Sequence, residues 1–120
     1  ISVLVDRVQI EQVLLNLIRN ALDALEEVPT ERRRLALRAR TENGWALALV
    51  EDSGPGIAPE VMARLFDPFF TTKINGMGMG LPISQTILDK HGGKLSVSSE
   101  VGAGTCFQVR LPLSRTAGEA

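Results

Sequence analysis

Near the amino terminus, apolar and polar positions repeat at helical spacing. Seven apolar side chains recur three and four positions apart, and so share one broad arc of a helix: Val13, Leu14, Leu17, Ile18, Ala21, Leu22 and Leu25. A narrow polar stripe lies opposite, formed by Gln9, Gln12, Asn16, Asn20, Asp23 and Glu27. Asn and Asp are poor helix formers, at about 0.6 kcal/mol each relative to Ala. Their place in mid-helix suggests a face kept for something other than helix stability, although a merely solvated face gives the same pattern.

The rest of the chain reads as short strands and helices. A β-branched run over residues 1–5 predicts a strand, and Asp6 with Gln9 predicts a capping box before a helix over 7–27. Further strands are predicted over 35–40, 45–50, 94–99 and 105–111, and further helices over about 59–65 and 81–90. Asn43-Gly44 predicts a tight hairpin turn.

This order predicts an α+β fold, a two-layer sandwich with about three helices on one face of a mixed, mostly antiparallel sheet. We expect one domain over residues 1–113 and a disordered tail over 114–120.

Composition limits the function classes. The 120 residues carry a net charge of −1, which offers no electrostatic footprint for nucleic acid. No run of 18 apolar residues is present, and the amino terminus has no signal-peptide layout. The single Cys106 fits a reducing compartment and predicts an inert thiol in a strand. We therefore expect a cytoplasmic domain without membrane contact.

Two glycine-bearing segments are candidates for ligand binding. Gly76, Gly78 and Gly80 lead into a helix, where exposed backbone N–H groups and the helix dipole favour phosphate. The segment is neither a P-loop nor a dinucleotide turn, and alone it could be an ordinary glycine-rich loop. Asp52 stands at a strand end before a Gly-Pro-Gly turn. Its carboxylate could accept a hydrogen bond from an exocyclic amine, or could simply form an Asx turn.

Taken together, these segments resemble the catalytic ATP-binding domain of sensor histidine kinases, within the wider GHKL (Bergerat fold) ATPase superfamily. Five boxes stand in the family's order: Asn16 with Asn20-Ala21-Leu22-Asp23-Ala24, Asp52-Ser53-Gly54-Pro55-Gly56-Ile57, Phe66-Asp67-Pro68-Phe69, Gly76-Met77-Gly78-Met79-Gly80-Leu81, and Gly102-Ala103-Gly104-Thr105. The run Phe69-Phe70-Thr71-Thr72-Lys73 is most like the nitrogen-regulation and oxygen-sensing branch.

The resemblance implies roles for particular residues. Asn20 would ligate Mg²⁺ on the triphosphate, Asn16 and Lys73 would act at the phosphates, and Asp52 would accept from the adenine amino group. Phe66 and Phe69 would anchor a lid over the nucleotide. The full nucleotide-binding set that the resemblance implies is Asn16, Asn20, Asp23, Asp52, Gly54, Gly56, Ile57, Lys73, Gly76, Gly78, Met79, Gly80, Leu81 and Thr105. The implied partners are ATP, a dimerisation domain bearing the acceptor histidine, and a response regulator of a two-component system.

His91, the only histidine, precedes Gly92-Gly93 at a predicted helix end. There an imidazole can cap carbonyl groups, so we expect a structural role and no phosphorylation of this residue. No histidine followed by an acidic residue occurs in the chain, which leaves the acceptor elsewhere.

Two alternatives remain open. Hydrolytic relatives place a Glu where Asn16 stands, and a carboxamide cannot take a proton from water, so Asn16 favours transfer to a protein nucleophile over a GHKL-type ATPase. The other alternative is a degenerate nucleotide-sensing or docking module, which the intact Asn20, Asp52 and glycines oppose.

Overall fold

The computed structural model describes residues 6–67 and 80–113. Its elements in chain order are α1 (Arg7–Leu25), a 3-10 turn (Thr30–Arg32), β1 (Leu35–Glu42), β2 (Trp45–Asp52), α2 (Pro59–Met62), α3 (Gly80–Lys90), β3 (Lys94–Glu100) and β4 (Gly104–Pro112). The strand predicted over residues 1–5 and the tail over 114–120 lie outside the described residues.

The four described strands form one antiparallel sheet in the order β1-β2-β4-β3. The first hairpin turns at Asn43 and Gly44, whose φ angles of 50° and 85° are the left-handed pair that a two-residue hairpin requires. Asp52, the last residue of β2, lies opposite Thr105 of β4. The register therefore brings together two residues that the sequence places 53 positions apart.

The core lies between one face of the sheet and the two longer helices. Alternate residues of β4 point into it, and α1 and α3 cover them. The buried members are Val13, Leu17, Ala21, Val50, Leu81, Ile87, Leu88, Leu95, Phe107, Val109 and Leu111. Phe66 packs against this core, and Phe69 lies outside the described residues, so their role in anchoring a lid stays a prediction. The predicted two-layer α+β sandwich is confirmed.

The prediction for α1 was wrong in two details. Leu22, assigned to the apolar arc, has 50% of its surface exposed, because the helix buries only the arc centred on Leu17. Only part of the polar stripe lies away from the core: Gln12 and Glu27 are exposed, whereas Asn16 and Asn20 are half-buried at the border of the core. The cause is α3, which packs beside α1 and covers that flank.

The capping box forms only in part. The Asp6 carboxylate accepts from the backbone N–H of Gln9 at 3.2 Å, as predicted. The backbone N–H of Asp6, which the pattern assigns to the Gln9 side chain, donates instead to His91 Nε2 at 3.0 Å. His91 Nδ1 lies 2.8 Å from the carbonyl oxygen of Ile87 and must donate to it. The imidazole, which donates from Nδ1 and accepts at Nε2, thus joins the end of α3 to the start of α1.

We expect His91→Ala to lower the free energy of unfolding by about 1 kcal/mol, because two hydrogen bonds are lost at a partly exposed site. Chemical denaturation followed by circular dichroism measures this. Lys90→Ala, an exposed change one residue earlier, should stay within about 0.5 kcal/mol of wild type. Equal stability of His91→Ala and wild type would contradict the bridging role.

Candidate functional site

The amino-terminal turn of α3 is fixed to α1 by Asn16. Its Nδ2 donates to the carbonyl oxygen of Gly80 at 3.5 Å and to Ser84 Oγ, which is fully buried, at 3.3 Å. The first backbone N–H groups of a helix have no partner within it, so the start of α3 offers donors to an anion. The side chain of Leu81 belongs to the core, so only its backbone can contribute to a ligand there.

Asp52 forms the second part of the site. Its Oδ1 accepts from the backbone N–H of Gly54 at 2.8 Å, so the Asx turn that the sequence left open does form. Burial raises the pKa of the Asp52 carboxyl above its ordinary value, and hydrogen bonds from the backbone of Gly54 and Thr105 oppose this in part. A carboxylate has about four acceptor positions. The turn therefore leaves Asp52 able to accept a further hydrogen bond from a ligand.

The two glycines after Asp52 allow close packing within the protein. A Cβ on Gly54 would lie 3.0 Å from the Cβ of Ala24, near the end of α1. Gly56 has a φ of 80°, and a Cβ there would collide with the carbonyl oxygen of Glu100. The family resemblance assigns both glycines to the nucleotide-binding set. The structure shows that packing also requires glycine at both positions, because the loop after β2 runs close to α1 and to the end of β3.

Sequence reasoning missed Ser99, although its hydroxyl holds this loop. Ser99 Oγ accepts from the backbone N–H of Ile57 at 2.8 Å and donates to the carbonyl oxygen of Gly104 at 2.9 Å. It also lies 2.9 Å from Thr105 Oγ1, and Thr105 is buried. A signal existed: Ser99 follows Leu95 and Val97 on the core-facing side of β3, where a third apolar residue is the usual choice.

The described site residues gather around the carboxyl-terminal half of α1. Asn16 contacts the start of α3, and Ala24 contacts the loop that follows Asp52. Asn20 and Asp23 stand between these two contacts on α1 and are half-buried. Four predicted site residues, Lys73, Gly76, Gly78 and Met79, lie outside the described residues.

The donor set suits a magnesium ion carried by a phosphate ligand. Within residues 6–67 and 80–113, no group of three or more His, Cys, Asp or Glu residues could hold a metal ion by itself. Mg²⁺ does not need such a group when it keeps several waters and arrives on phosphates, since one or two protein oxygens then suffice. The half-buried Asn20 amide can supply one of them.

The open face of the sheet takes no part in this arrangement. A shallow depression there is lined by Arg40, Trp45 and Arg110, whose guanidinium stacks 4.4 Å from the Trp45 ring centre. Cys106 is half-buried on the same face, and burial, with a smaller effect from the Glu51 charge, raises the pKa of its thiol. A protonated thiol is unreactive, as predicted for Cys106.

In the part of the chain that the structure describes, no helix has the length and apolar character needed to span a bilayer.

Comparison with known proteins gives one consistent result. A family model described as "Histidine kinase-, DNA gyrase B-, and HSP90-like ATPase" matches residues 5–115. The C4-dicarboxylate transport sensor protein DctS of Rhodobacter capsulatus is 45% identical over 115 residues, which cover 96% of this chain and 18% of DctS. The chain thus spans about a fifth of the length of that relative.

Two solved structures are similar over nearly the whole chain. The nucleotide-free catalytic domain of histidine kinase ThkA has a TM-score of 0.78 and 34% identity, and the match covers 92% of this chain and 71% of that one. Full-length ShkA in complex with AMPPNP has a TM-score of 0.81 and 33% identity, over 98% of this chain and 24% of that one.

Proposed function

The chain belongs to the family of histidine kinase-, DNA gyrase B- and HSP90-like ATPases, as a histidine kinase catalytic domain, and from this premise we propose how it acts. It binds ATP with Mg²⁺ and donates the γ-phosphoryl group to a histidine on a separate dimerisation domain. A bound Mg²⁺ would supply positive charge next to the phosphates. Asn16, at the border between α1 and α3, is the observation that favours phosphoryl transfer to a protein over hydrolysis of ATP.

Asn16 cannot serve as a general base. A carboxamide does not accept a proton at neutral pH, and the Nδ2 of Asn16 already donates to Gly80 and Ser84. A hydrolytic enzyme needs a base that activates water. The described site lacks that base at this position, which favours a protein nucleophile over water. The role of Asn16 is then to hold the start of α3 in place for the phosphates.

Asp52 and its neighbours form the adenine end of the proposed site. The carboxylate is half-buried and held in one direction by the N–H of Gly54, so it can accept from the adenine amino group. Thr105 lies opposite Asp52 in the sheet, and Ser99 joins Thr105 to Ile57 by hydrogen bonds. Support comes also from ShkA, a similar structure that contains the ATP analogue AMPPNP.

The phosphate end rests on Asn20 and on the start of α3. Asn20 would supply an oxygen to Mg²⁺, and Asp23 stands one turn further along the same helix. The contributions of Lys73, Gly76, Gly78 and Met79 remain predictions from the family resemblance. So do the dimerisation domain, the response regulator and a cytoplasmic location, since the chain spans only part of its relatives.

Mg²⁺ should increase the affinity of the wild-type chain for ATP. We expect this increase to be smaller in Asn20→Ala by a factor of about ten or more, because a metal ligand is lost. Isothermal titration calorimetry with Mg²⁺ and with a chelator measures the increase. Gln12→Ala, an exposed change on the same polar stripe, is the matched control and should keep it. An Asn20→Ala protein with the wild-type metal dependence would remove Asn20 from the metal site.

A further inference from the structure

The Ser99 hydroxyl makes three hydrogen bonds beneath the adenine end of the proposed site. We propose that Ser99 is a positioning residue that fixes the direction of the Thr105 hydroxyl and so helps the site choose adenine over guanine. This inference rests on the proposed function, because it concerns the selectivity of the same nucleotide site.

The direction of each proton follows from the partners. The Ile57 nitrogen can only donate, and Ser99 Oγ accepts from it at 2.8 Å. The carbonyl oxygen of Gly104 can only accept, and it lies 2.9 Å from Ser99 Oγ, so we assign the single proton of Ser99 to this bond. Either hydroxyl could donate in the third bond, to Thr105 Oγ1 at 2.9 Å, and with the Ser99 proton on Gly104 the donor is Thr105. The Thr105 hydroxyl therefore donates to Ser99 and retains only lone pairs for a ligand.

An acceptor at this place discriminates between purines. Adenine carries an amino group, a donor, at the ring position where guanine carries a carbonyl oxygen, an acceptor. Thr105 lies opposite Asp52 in the sheet, and its backbone N–H bonds the Asp52 carboxylate. With Ser99 present, both side chains at this end offer acceptors only. Adenine can satisfy them, whereas the guanine carbonyl is repelled.

The same hydroxyl also seats the loop that carries Ile57. Besides the bond from Ile57, a second bond runs from the N–H of Gly102 to the carbonyl oxygen of Pro55 at 2.8 Å. Ser99→Ala leaves the Ile57 N–H without its partner and frees the Thr105 hydroxyl to rotate. A rotated hydroxyl could donate to a guanine carbonyl, so selectivity should fall.

The test measures the ratio of the GTP and ATP dissociation constants by calorimetry in five variants, four single substitutions and one double substitution. Ser99→Ala should lower this ratio about tenfold, as loss of one directed hydrogen bond would. Ser99→Thr, which keeps the hydroxyl, should retain the ratio. Ser98→Ala, on the exposed side of the same strand, should retain it also. Thr105→Val by itself should lower the ratio. The double variant Thr105→Val/Ser99→Ala should have the same ratio as Thr105→Val.

Amide exchange of Ile57 in the nucleotide-free protein gives an independent reading, and it should accelerate in Ser99→Ala but not in Ser98→Ala. A Ser99→Ala protein that keeps the wild-type ratio overturns the inference. If Ser99→Ala does not fold, a wild-type ratio in Thr105→Val overturns it instead. A wild-type chain that binds neither nucleotide would overturn the proposed function itself.

Discussion

Asp52→Asn should weaken ATP binding by roughly ten- to a hundredfold while leaving the nucleotide-free chain at least as stable as wild type. The asparagine keeps an Oδ1 that can accept from Gly54, so the turn after β2 survives. It replaces the second oxygen by an amide group that donates, and the adenine amino group then loses a charged acceptor. A hydrogen bond to a charged group contributes about 1.5–3 kcal/mol, which corresponds to that loss of affinity.

The stability of the free chain should change in the opposite direction. Burial raises the pKa of the Asp52 carboxyl, so folding disfavours the ionised form. The contribution of this group to stability is complete below its unfolded pKa of about 3.9 and is lost as the pH rises through the higher folded value. At pH 7 the Asp52 charge therefore opposes folding, and Asp52→Asn removes it. The advantage of the variant should grow as the pH rises above about 4.

Calorimetry with ATP and GTP, and denaturation at pH 4 and pH 7, measure both effects. Glu51→Gln is the matched control, because it removes a neighbouring charge that pairs with Arg38 on the open face. That control should bind ATP as wild type does. An Asp52→Asn protein that prefers ATP over GTP by the wild-type margin would remove Asp52 from adenine recognition. A markedly less stable Asp52→Asn protein would show that the ionised Asp52 carboxylate stabilises the fold.

Local chemistry made much of the fold predictable. Asn43 and Gly44 tolerate positive φ angles, and they mark the hairpin whatever surrounds it. The helix containing Asn16 begins where Asp6 caps it, and it ends two residues before the predicted limit. The alternation in β4 identified its core-facing side, which is buried from Thr105 to Leu111. These features depend on residues close together in the chain.

What the sequence did not reveal depends on distant partners. Helical periodicity shows which side of α1 is apolar, but only the position of α3 decides that Asn16 is covered and that Leu22 is not. The bond between Asp6 and His91 joins residues 85 positions apart. Ser99 carries no motif of its own, since its importance lies in the three groups that the sheet register and the turn bring to it.

In the candidate site, too, local features could be predicted from the sequence, whereas contacts between distant residues could not. Asp52 and Gly54 form a local turn, which the sequence anticipated as one of two interpretations. The contacts of Gly54 with Ala24 and of Gly56 with Glu100 required the packed structure. The structure therefore shows that packing, and not ligand binding alone, requires glycine at positions 54 and 56.

The second prediction with a large expected effect concerns phosphoryl transfer by the chain without a partner domain. The chain by itself should bind ATP with Mg²⁺ but should neither label itself nor hydrolyse ATP at a useful rate. Its only histidine is His91, and both ring nitrogens are occupied, Nδ1 by Ile87 and Nε2 by the N–H of Asp6. A nitrogen whose lone pair accepts a hydrogen bond is a poor nucleophile. Asn16, for its part, cannot activate water.

Incubation with γ-labelled ATP, with and without a dimerisation domain that carries an acceptor histidine, tests the central claim most directly. The wild-type chain and His91→Ala should both remain unlabelled alone, and both should label the acceptor domain when it is added. The Asp52→Asn chain should label it far more slowly at limiting ATP. Label on the wild-type chain alone that disappears in His91→Ala, or rapid release of phosphate without an acceptor, would contradict the account.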